Sequence, residues 1–269
     1  MRFHSLEPDH EWSFSSLTAY ETCPRMFALQ YLADPPVPQD ENAFAQQGTL
    51  CHSLLEGYAK GELAEFCLAD EYKERFDSAV TAYFPPFPKG GGEKAYNACL
   101  QYFENFEGFG DQYEILSAEE PFKTNIHGNI LKGVVDLTLR DKNTGSITVI
   151  DHKTTSESSF AKKQSTYRKQ LYIYAAHIHD RYGEYPSLLR FNLLKPQRWF
   201  DETFSMDALR ETEDWICQTV QKIRADAEWK SCLRAQEEET GKRPRQNYFC
   251  QWICGVSNFC EDGIDLWQR

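Results

Sequence analysis

Asp136, Asp151 and Lys153 are the residues of this sequence whose types and spacing most directly indicate chemistry. Two carboxylates that face each other repel unless a cation lies between them. Oxygen ligands of this kind suit Mg²⁺ or Mn²⁺, and a neighbouring ammonium group can hold or activate a water molecule, or stabilise the charge of a phosphate transition state. The three residues therefore predict metal-dependent phosphodiester hydrolysis. The alternative is a cluster of surface charges at a strand end, with the lysine as ion partner of the aspartates.

The relative placement of these three residues depends on a predicted β-hairpin. Period-two alternation predicts strands over 130–140 and 146–153, joined by a turn. A turn centred between residues 143 and 144 pairs Asp136 with Asp151, and alternation puts Lys153 on the same face as Asp151. The apolar residues of both strands then point to the other face, towards a core.

The remaining periodicity predicts an α/β fold, with a mixed central sheet flanked by helices and a helical portion inserted before it. We expect a single domain in which 1–110 is the mainly helical portion, 111–236 contains the hairpin, and 237–269 is a closing cysteine-rich segment. The expected helices are 16–31, capped by Ser15 and interrupted at Pro24, then 46–60, 63–83, 93–107, 165–182 and 206–236, and the expected strands outside the hairpin are 113–126, 187–194 and 199–205.

Composition and charge narrow the class of protein. The 269 residues include 41% hydrophobic and 14% aromatic residues, which is enough for a buried core. The chain has no apolar stretch of membrane-spanning length and no opening segment of signal-peptide length, so we expect a soluble cytoplasmic protein without a membrane partner. The net charge of −12 counts against a nucleic-acid partner. Local basic residues weaken that objection, since they can bind phosphates: Lys162, Lys163, Arg168, Lys169, Lys242, Arg243 and Arg245.

The nine cysteines are odd in number, which argues against a disulfide framework. Cys250, Cys254 and Cys260 form a C-x3-C-x5-C cluster, and Cys23 precedes a proline near the other end of the chain. Three clustered thiols and one remote thiol make a four-ligand metal site. The alternative is buried thiols without a ligand role, which is the role we expect for the other cysteines: Cys51, Cys67, Cys99, Cys217 and Cys232.

Five segments, in order along the chain, resemble the RecB-like branch of the PD-(D/E)XK nuclease superfamily. That branch includes exonucleases with an iron–sulfur cluster from CRISPR systems and phages. The matching segments are Ser13–Pro24, Gly48–Glu56, Gly133–Asp136, Val149–Thr154 and Gln170–Tyr174. The resemblance implies a restriction-endonuclease-like core. It also implies a Mg²⁺- or Mn²⁺-dependent DNA exonuclease that acts on single-stranded ends, with partner proteins in recombination, phage or CRISPR complexes.

Roles for individual residues follow from the same resemblance. It implies that Asp136 and Asp151 are metal ligands, that Lys153 is the catalytic lysine, and that His52 supplies an imidazole ligand to the same cation. Glu119 occupies a place where many relatives carry an acidic residue near the site. Gln170 and Tyr174, on one face of a predicted helix, would contact the substrate or the catalytic lysine; the alternative is that Tyr174 packs in the core and Gln170 is solvated.

For the cysteines, the resemblance implies a 4Fe-4S cluster held by Cys23, Cys250, Cys254 and Cys260. The closing spacing departs from the family's C-x2-C-x5-C by one residue, and zinc in a Cys₄ site is the main alternative, since thiolates bind both. The competing function is a noncatalytic, metal-bearing DNA-binding module of a recombination or phage complex. An endonuclease with the same core is a third hypothesis.

Overall fold

The computed structural model describes residues 2–86, 89–244 and 246–267, and the chain forms two compact units. The terminal unit combines residues 1–42, 125–131 and 213–269. The central unit combines residues 43–124 and 132–212. No helix in the described ranges has both the length and the apolar character that crossing a membrane requires.

The central unit is built on a five-stranded mixed sheet with the order β3-β4-β5-β6-β7. Strands β4 and β5 are antiparallel, β5 and β6 are parallel, and β6 and β7 are antiparallel. The predicted mixed sheet flanked by helices is therefore confirmed. The strands are β3 (Tyr113–Ile126), β4 (Asn129–Asp141), β5 (Ile147–Lys153), β6 (Leu188–Leu193) and β7 (Arg198–Thr203).

The β4–β5 hairpin has the register that the sequence predicts. Its pairs run from Arg140 opposite Ile147 to Leu137 opposite Ile150, so the next pair in this register is Asp136 opposite Asp151. The side chain of Asp141 accepts hydrogen bonds from two backbone N–H groups of the turn, which fixes the turn locally. The apolar side chains on one face of the hairpin are buried, as expected: Leu137, Leu139 and Ile150.

Four helices accompany this sheet: α3 (Ala43–Ala59), α4 (Leu68–Ala79), α5 (Gly91–Glu104) and α6 (Glu157–Tyr182). Helices α3, α4 and α5 share a buried apolar cluster that includes Leu54, Tyr72 and Phe103. Helix α6 begins at Glu157 rather than at Ser165, because the Ser156 hydroxyl accepts a hydrogen bond from Ser159 N and caps the helix earlier than the apolar pattern indicates.

The terminal unit contains α1 (Phe14–Thr22) and α2 (Pro24–Tyr31) and the small ladder of β1 (Arg2–Phe3) and β2 (Ala33–Asp34). Its described residues also include most of a third α-helix, two shorter α-helices and two short helical turns. Pro24 separates α1 from α2 as expected, but the cap is Ser13 rather than Ser15, since Ser13 and Ser16 bond each other's backbone N–H groups reciprocally.

The predicted single helix over 206–236 is wrong. Helix α7 (Met206–Ala225) ends at Asp226, whose side chain accepts hydrogen bonds from the backbone N–H groups of Glu228 and Trp229 and so stabilises a turn. Helix α8 (Cys232–Thr240) then begins at the Ser231 cap, and α9 (Glu261–Trp267) closes the unit. This break decides where Cys232 lies.

Candidate metal centre and cysteine site

The two hairpin aspartates are buried where strands β4 and β5 leave the core. Asp151 is fully buried, and Asp136 is 8% exposed. Asp136 Oδ2 accepts a hydrogen bond from the backbone N–H of His152 at 2.7 Å. Burial, together with the charge of Asp151, raises the pKa of Asp136 to about 7 in spite of the cations His52 and Lys153, which act in the opposite direction. A nearby cation would stabilise the charged form of this buried carboxyl group.

His52 reaches this site from helix α3. A Cβ on Gly48 would lie 3.2 Å from Thr154 Oγ1, so the glycine permits the helix to approach the end of β5 closely. His52 Nε2 lies 3.0 Å from the backbone carbonyl of His152, which can accept only from a protonated nitrogen. Nδ1 is therefore the nitrogen available to a metal, and it lies 3.0 Å from Glu119 and 3.6 Å from Asp136.

Glu119 completes a group of three potential ligands with His52 and Asp136. One ligand atom from each lies within 4.8 Å of the others. Among the described residues, no other group of three or more His, Cys, Asp or Glu side chains meets this limit. Glu119 has a φ of 46°, in the left-handed region, within strand β3. Its carboxylate faces His52, whereas that of Glu120 pairs with Arg181.

Lys153 is held by side chains from strand β5 and helix α6. Its Nζ lies 2.9 Å from Asp151 Oδ1 and 2.7 Å from Oδ2, and it donates to Gln170 Oε1 at 2.9 Å. Gln170 Nε2 in turn donates to Tyr174 OH at 2.6 Å. The ammonium group also lies over the ring of Tyr167, 5.0 Å from its centre. The structure thus brings together the predicted lysine, glutamine and tyrosine in one hydrogen-bonded chain.

The charges of the site suit a divalent cation. Burial lowers the pKa of His52, but Asp136 and Glu119 outweigh it and raise that pKa to about 9. Burial likewise opposes the charge of Lys153, yet Asp151 and Asp136 raise its pKa above the ordinary value. Without a metal, two cations face three carboxylates. A divalent cation that displaced the His52 proton would offset the remaining negative charge, so the donor set fits Mg²⁺ or Mn²⁺.

Sequence reasoning missed the contribution of His152, which precedes the catalytic-type lysine. Its backbone carbonyl and N–H hold His52 and Asp136, respectively. Its ring is buried, 3.0 Å from Asn192 Nδ2, and burial lowers the pKa of His152 well below its usual range. Alternation shows only that this side chain faces away from Asp151, and a backbone contact leaves no signal in residue type.

The cysteine site lies within the terminal unit. Cys23 stands at the junction of α1 and α2, and Cys260 directly precedes α9. One small cavity is lined by the four predicted cysteines and by a fifth that was expected only to pack: Cys23, Cys232, Cys250, Cys254 and Cys260. Within the described residues, no three of their sulfurs lie within 4.8 Å of one another.

The additional residue in the closing C-x3-C spacing is accommodated by a π-helical turn. This turn spans Phe249–Ile253, and Cys254 N donates to Phe249 O at 2.8 Å, across five residues. A π turn adds one residue to a helical turn without breaking its hydrogen bonds. Cys250 and Cys254 therefore both line the cavity in spite of the departure from the family's spacing.

Two of the predicted phosphate-binding arginines are engaged in ion pairs. Arg168 pairs with Glu202 in the central unit. Arg243 pairs with Asp262 at 2.5 Å and Asp265 at 3.1 Å in the terminal unit. Lys162 and Lys163 are exposed at the start of α6, and Arg245 lies outside the described residues.

Comparison with known proteins adds three findings. Residues 11–261 match the family model of the PD-(D/E)XK nuclease superfamily. Among solved structures, the crystal structure of SSO0001 is similar, with 17% sequence identity and a TM-score of 0.37 over 97% of this chain and 90% of that chain. A search of curated proteins finds no match.

Proposed function

Because the chain belongs to the PD-(D/E)XK nuclease superfamily, we propose that it is a Mg²⁺- or Mn²⁺-dependent deoxyribonuclease that degrades DNA from single-stranded ends. The observation that carries the proposal is the group of His52, Glu119 and Asp136 beside the buried pair of Asp151 and Lys153. The choice of single-stranded ends rests on the resemblance of the motifs to RecB-like exonucleases.

In this proposal, His52, Glu119 and Asp136 hold the cation, with Asp151 as a further carboxylate ligand. A bound divalent ion would neutralise charge on the scissile phosphate and lower the pKa of a water nucleophile. The protein supplies orientation: the His152 carbonyl fixes the proton of His52 on Nε2, and the His152 N–H fixes Asp136.

Lys153 acts as a cation rather than as a base. Its pKa lies above the ordinary value, so the group stays protonated at neutral pH and cannot accept a proton from water. Its N–H groups can donate to a phosphate oxygen and stabilise the charge that develops there. Gln170 and Tyr174 keep the ammonium group in place through the hydrogen-bonded chain.

We propose a second metal centre, a 4Fe-4S cluster, at the cysteine site, with Cys23, Cys250, Cys254 and Cys260 as its ligands. Thiolates are the donors that iron–sulfur clusters use. Four thiolates around one zinc ion at about 2.3 Å stand only about 3.8 Å apart. No three sulfurs of the described cysteines lie within 4.8 Å of one another, which favours a larger centre. Because hydrolysis needs no electron transfer, the cluster would join segments from both ends of the chain.

The nuclease proposal is tested with end-labelled linear single-stranded DNA and Mn²⁺ or Mg²⁺. We expect metal-dependent loss of label with the wild-type chain and none with Asp151→Asn, which keeps the shape of the side chain. Asp207→Asn, at an exposed helix position, is the matched control. DNA binding without cleavage would contradict the proposal in favour of a noncatalytic module.

A circular single-stranded DNA and a labelled RNA of the same sequence sharpen the result. Cleavage of the circle would identify an endonuclease and overturn the exonuclease assignment. Equal degradation of the RNA would overturn the DNA preference.

The cluster proposal is tested by the colour and metal content of anaerobically purified protein. We expect a brown protein with broad absorption at about 400 nm and with bound iron and acid-labile sulfide. Colourless protein that contains one zinc ion per chain would overturn the cluster.

A further inference from the structure

Cys232 is part of the cysteine site, although its position in the sequence gives no sign of this. Its Sγ lies 3.7 Å from Cys250 Sγ, and its backbone N–H donates to Cys23 Sγ at 3.3 Å. It lines the same cavity as the other four cysteines. It therefore contacts two of the proposed ligands, besides packing against the apolar cluster that includes Leu233.

The position of Cys232 is fixed by hydrogen bonds on its N-terminal side. Lys230 O accepts from Arg25 N at 3.1 Å, which ties this segment to the beginning of α2. Ser231 caps α8 and donates to Asp262 at 2.7 Å, which ties it to α9. Cys232 is thus held at the cavity by contacts with both helices that flank the proposed ligands.

Cys250 is held independently of Cys232. Its backbone N–H donates to Asn247 Oδ1 at 3.0 Å, a contact that involves no residue of α8. The two thiols meet because two separately positioned segments, the start of α8 and the π-helical turn, converge on one point of the cavity. Both thiols are therefore available to the same part of any metal centre that occupies it.

Five thiols around one cluster exceed the number of positions that the cluster offers. A 4Fe-4S cluster takes four cysteine thiolates, one for each iron atom. Each ligand sulfur stands near a different iron atom, so two sulfurs only 3.7 Å apart compete for the same one. The close pair consequently supplies one ligand and one spare thiol.

We propose that Cys232 and Cys250 are alternative ligands of one iron atom of the cluster, with Cys23, Cys254 and Cys260 binding the other three. This inference rests on the cluster proposed above. Loss of either member of the pair should leave a complete set of four thiolates, whereas loss of any of the other three should not.

The test measures iron and acid-labile sulfide per chain in anaerobically reconstituted full-length protein. We expect Cys232→Ser and Cys250→Ser each to keep an iron content close to that of the wild-type chain. The double variant and Cys254→Ser should each lose about tenfold or more, since ligand loss removes the binding energy of the site. Cys67→Ser, from a helical turn of the central unit, is the matched control.

Cys250→Ser with as little iron as Cys254→Ser, in a chain that remains folded by circular dichroism, would overturn the inference alone. A double variant that keeps its iron would also overturn it. A wild-type chain without iron would instead overturn the cluster, and the inference with it, so the two failures are distinguishable.

Alkylation of the iron-loaded wild-type chain keeps the proposal testable if a variant does not fold. Because one thiol of the pair must bind iron, N-ethylmaleimide should modify at most one of Cys232 and Cys250 in each chain. Chains modified at both cysteines that still hold a full complement of iron would overturn the proposal.

Discussion

The metal centre of the central unit and the cysteine site of the terminal unit differ in what holds their side chains. In the metal centre, three side chains are held by neighbours outside the proposed ligand set: the His152 backbone holds His52 and Asp136, and Gln170 holds Lys153. In the cysteine site, thiols contact one another, as in the pair of Cys232 and Cys250. We therefore expect the order of the second arrangement to depend more on a bound metal than that of the first.

The two sites also differ in charge. Carboxylates and cations balance each other in the metal centre, where the neighbouring carboxylates raise the pKa of His52 to about 9. In the cysteine site, burial raises the pKa of Cys254 to about 11, and the hydrogen bond with Cys232, together with burial, raises that of Cys23 above its usual range. With pKa values raised in this way, the thiols of Cys23 and Cys254 are protonated at neutral pH and would bind a metal only with loss of their protons.

The largest effect is expected for Lys153→Met. Loss of the ammonium group should lower the rate of DNA cleavage by about 10²–10³-fold, because Lys153 is the cation held beside Asp151, where it can stabilise charge on the phosphate. Lys73→Met, on the surface of α4, is the control. A loss of activity that merely follows a fall in melting temperature would show that Lys153 stabilises the fold instead.

For Cys254→Ser we expect a loss of stability. Loss of the metal should destabilise the terminal unit by about 3 kcal/mol, as for a ligand present at a few hundred times its dissociation constant. Thermal unfolding followed by circular dichroism measures this, with Cys67→Ser as control. An unchanged melting temperature would contradict the idea that this site depends on a metal for its order.

Glu119→Gln tests whether the third donor belongs to the metal centre. Removal of its charge should weaken Mn²⁺ binding by about 10–100-fold, measured by calorimetry. Glu120→Gln is the matched control, since this neighbour pairs with Arg181 instead. Equal affinities in the two variants would remove Glu119 from the site.

The pH dependence of Mn²⁺ binding follows from His52. An imidazole with a pKa of about 9 is protonated below that pH and must lose its proton to bind a metal. Mn²⁺ affinity should therefore rise about tenfold per pH unit between pH 7 and 9 and level off above. Below pH 7 the rise should be steeper, because Asp136 also gains a proton there. In His52→Gln, the Mn²⁺ affinity should change little between pH 7 and 9. An unchanged slope in that variant would contradict the assignment of His52 as a ligand.

The smallest effect is expected for Tyr174→Phe. It removes the hydroxyl that accepts from Gln170, a hydrogen bond of about 1 kcal/mol, and should lower the cleavage rate by about fivefold through less precise placement of Lys153. Single-turnover kinetics at saturating Mn²⁺ measures it. A rate that is lower by as much as in Lys153→Met would indicate that Tyr174 itself contacts the substrate.

The local pattern of the chain was sufficient to predict the hairpin. Alternation and turn residues predicted the register that pairs Leu137 with Ile150, because a slip by one residue would turn every apolar side chain away from the core. The break of the expected helix over 206–236 was not predicted. Aspartate also occurs within helices, so residue type alone does not show that the Asp226 side chain stabilises a turn.

By itself, the sequence determined the superfamily and the mixed sheet, since these follow from motifs and periodicity that can be seen within one segment at a time. Only the tertiary structure decided that Glu119 faces His52, that the His152 backbone orients His52 and Asp136, and that Cys232 contacts Cys250. These contacts join residues far apart in the chain. Some of them depend on backbone groups or on an unusual φ, and the periodicity of the sequence indicates neither of these.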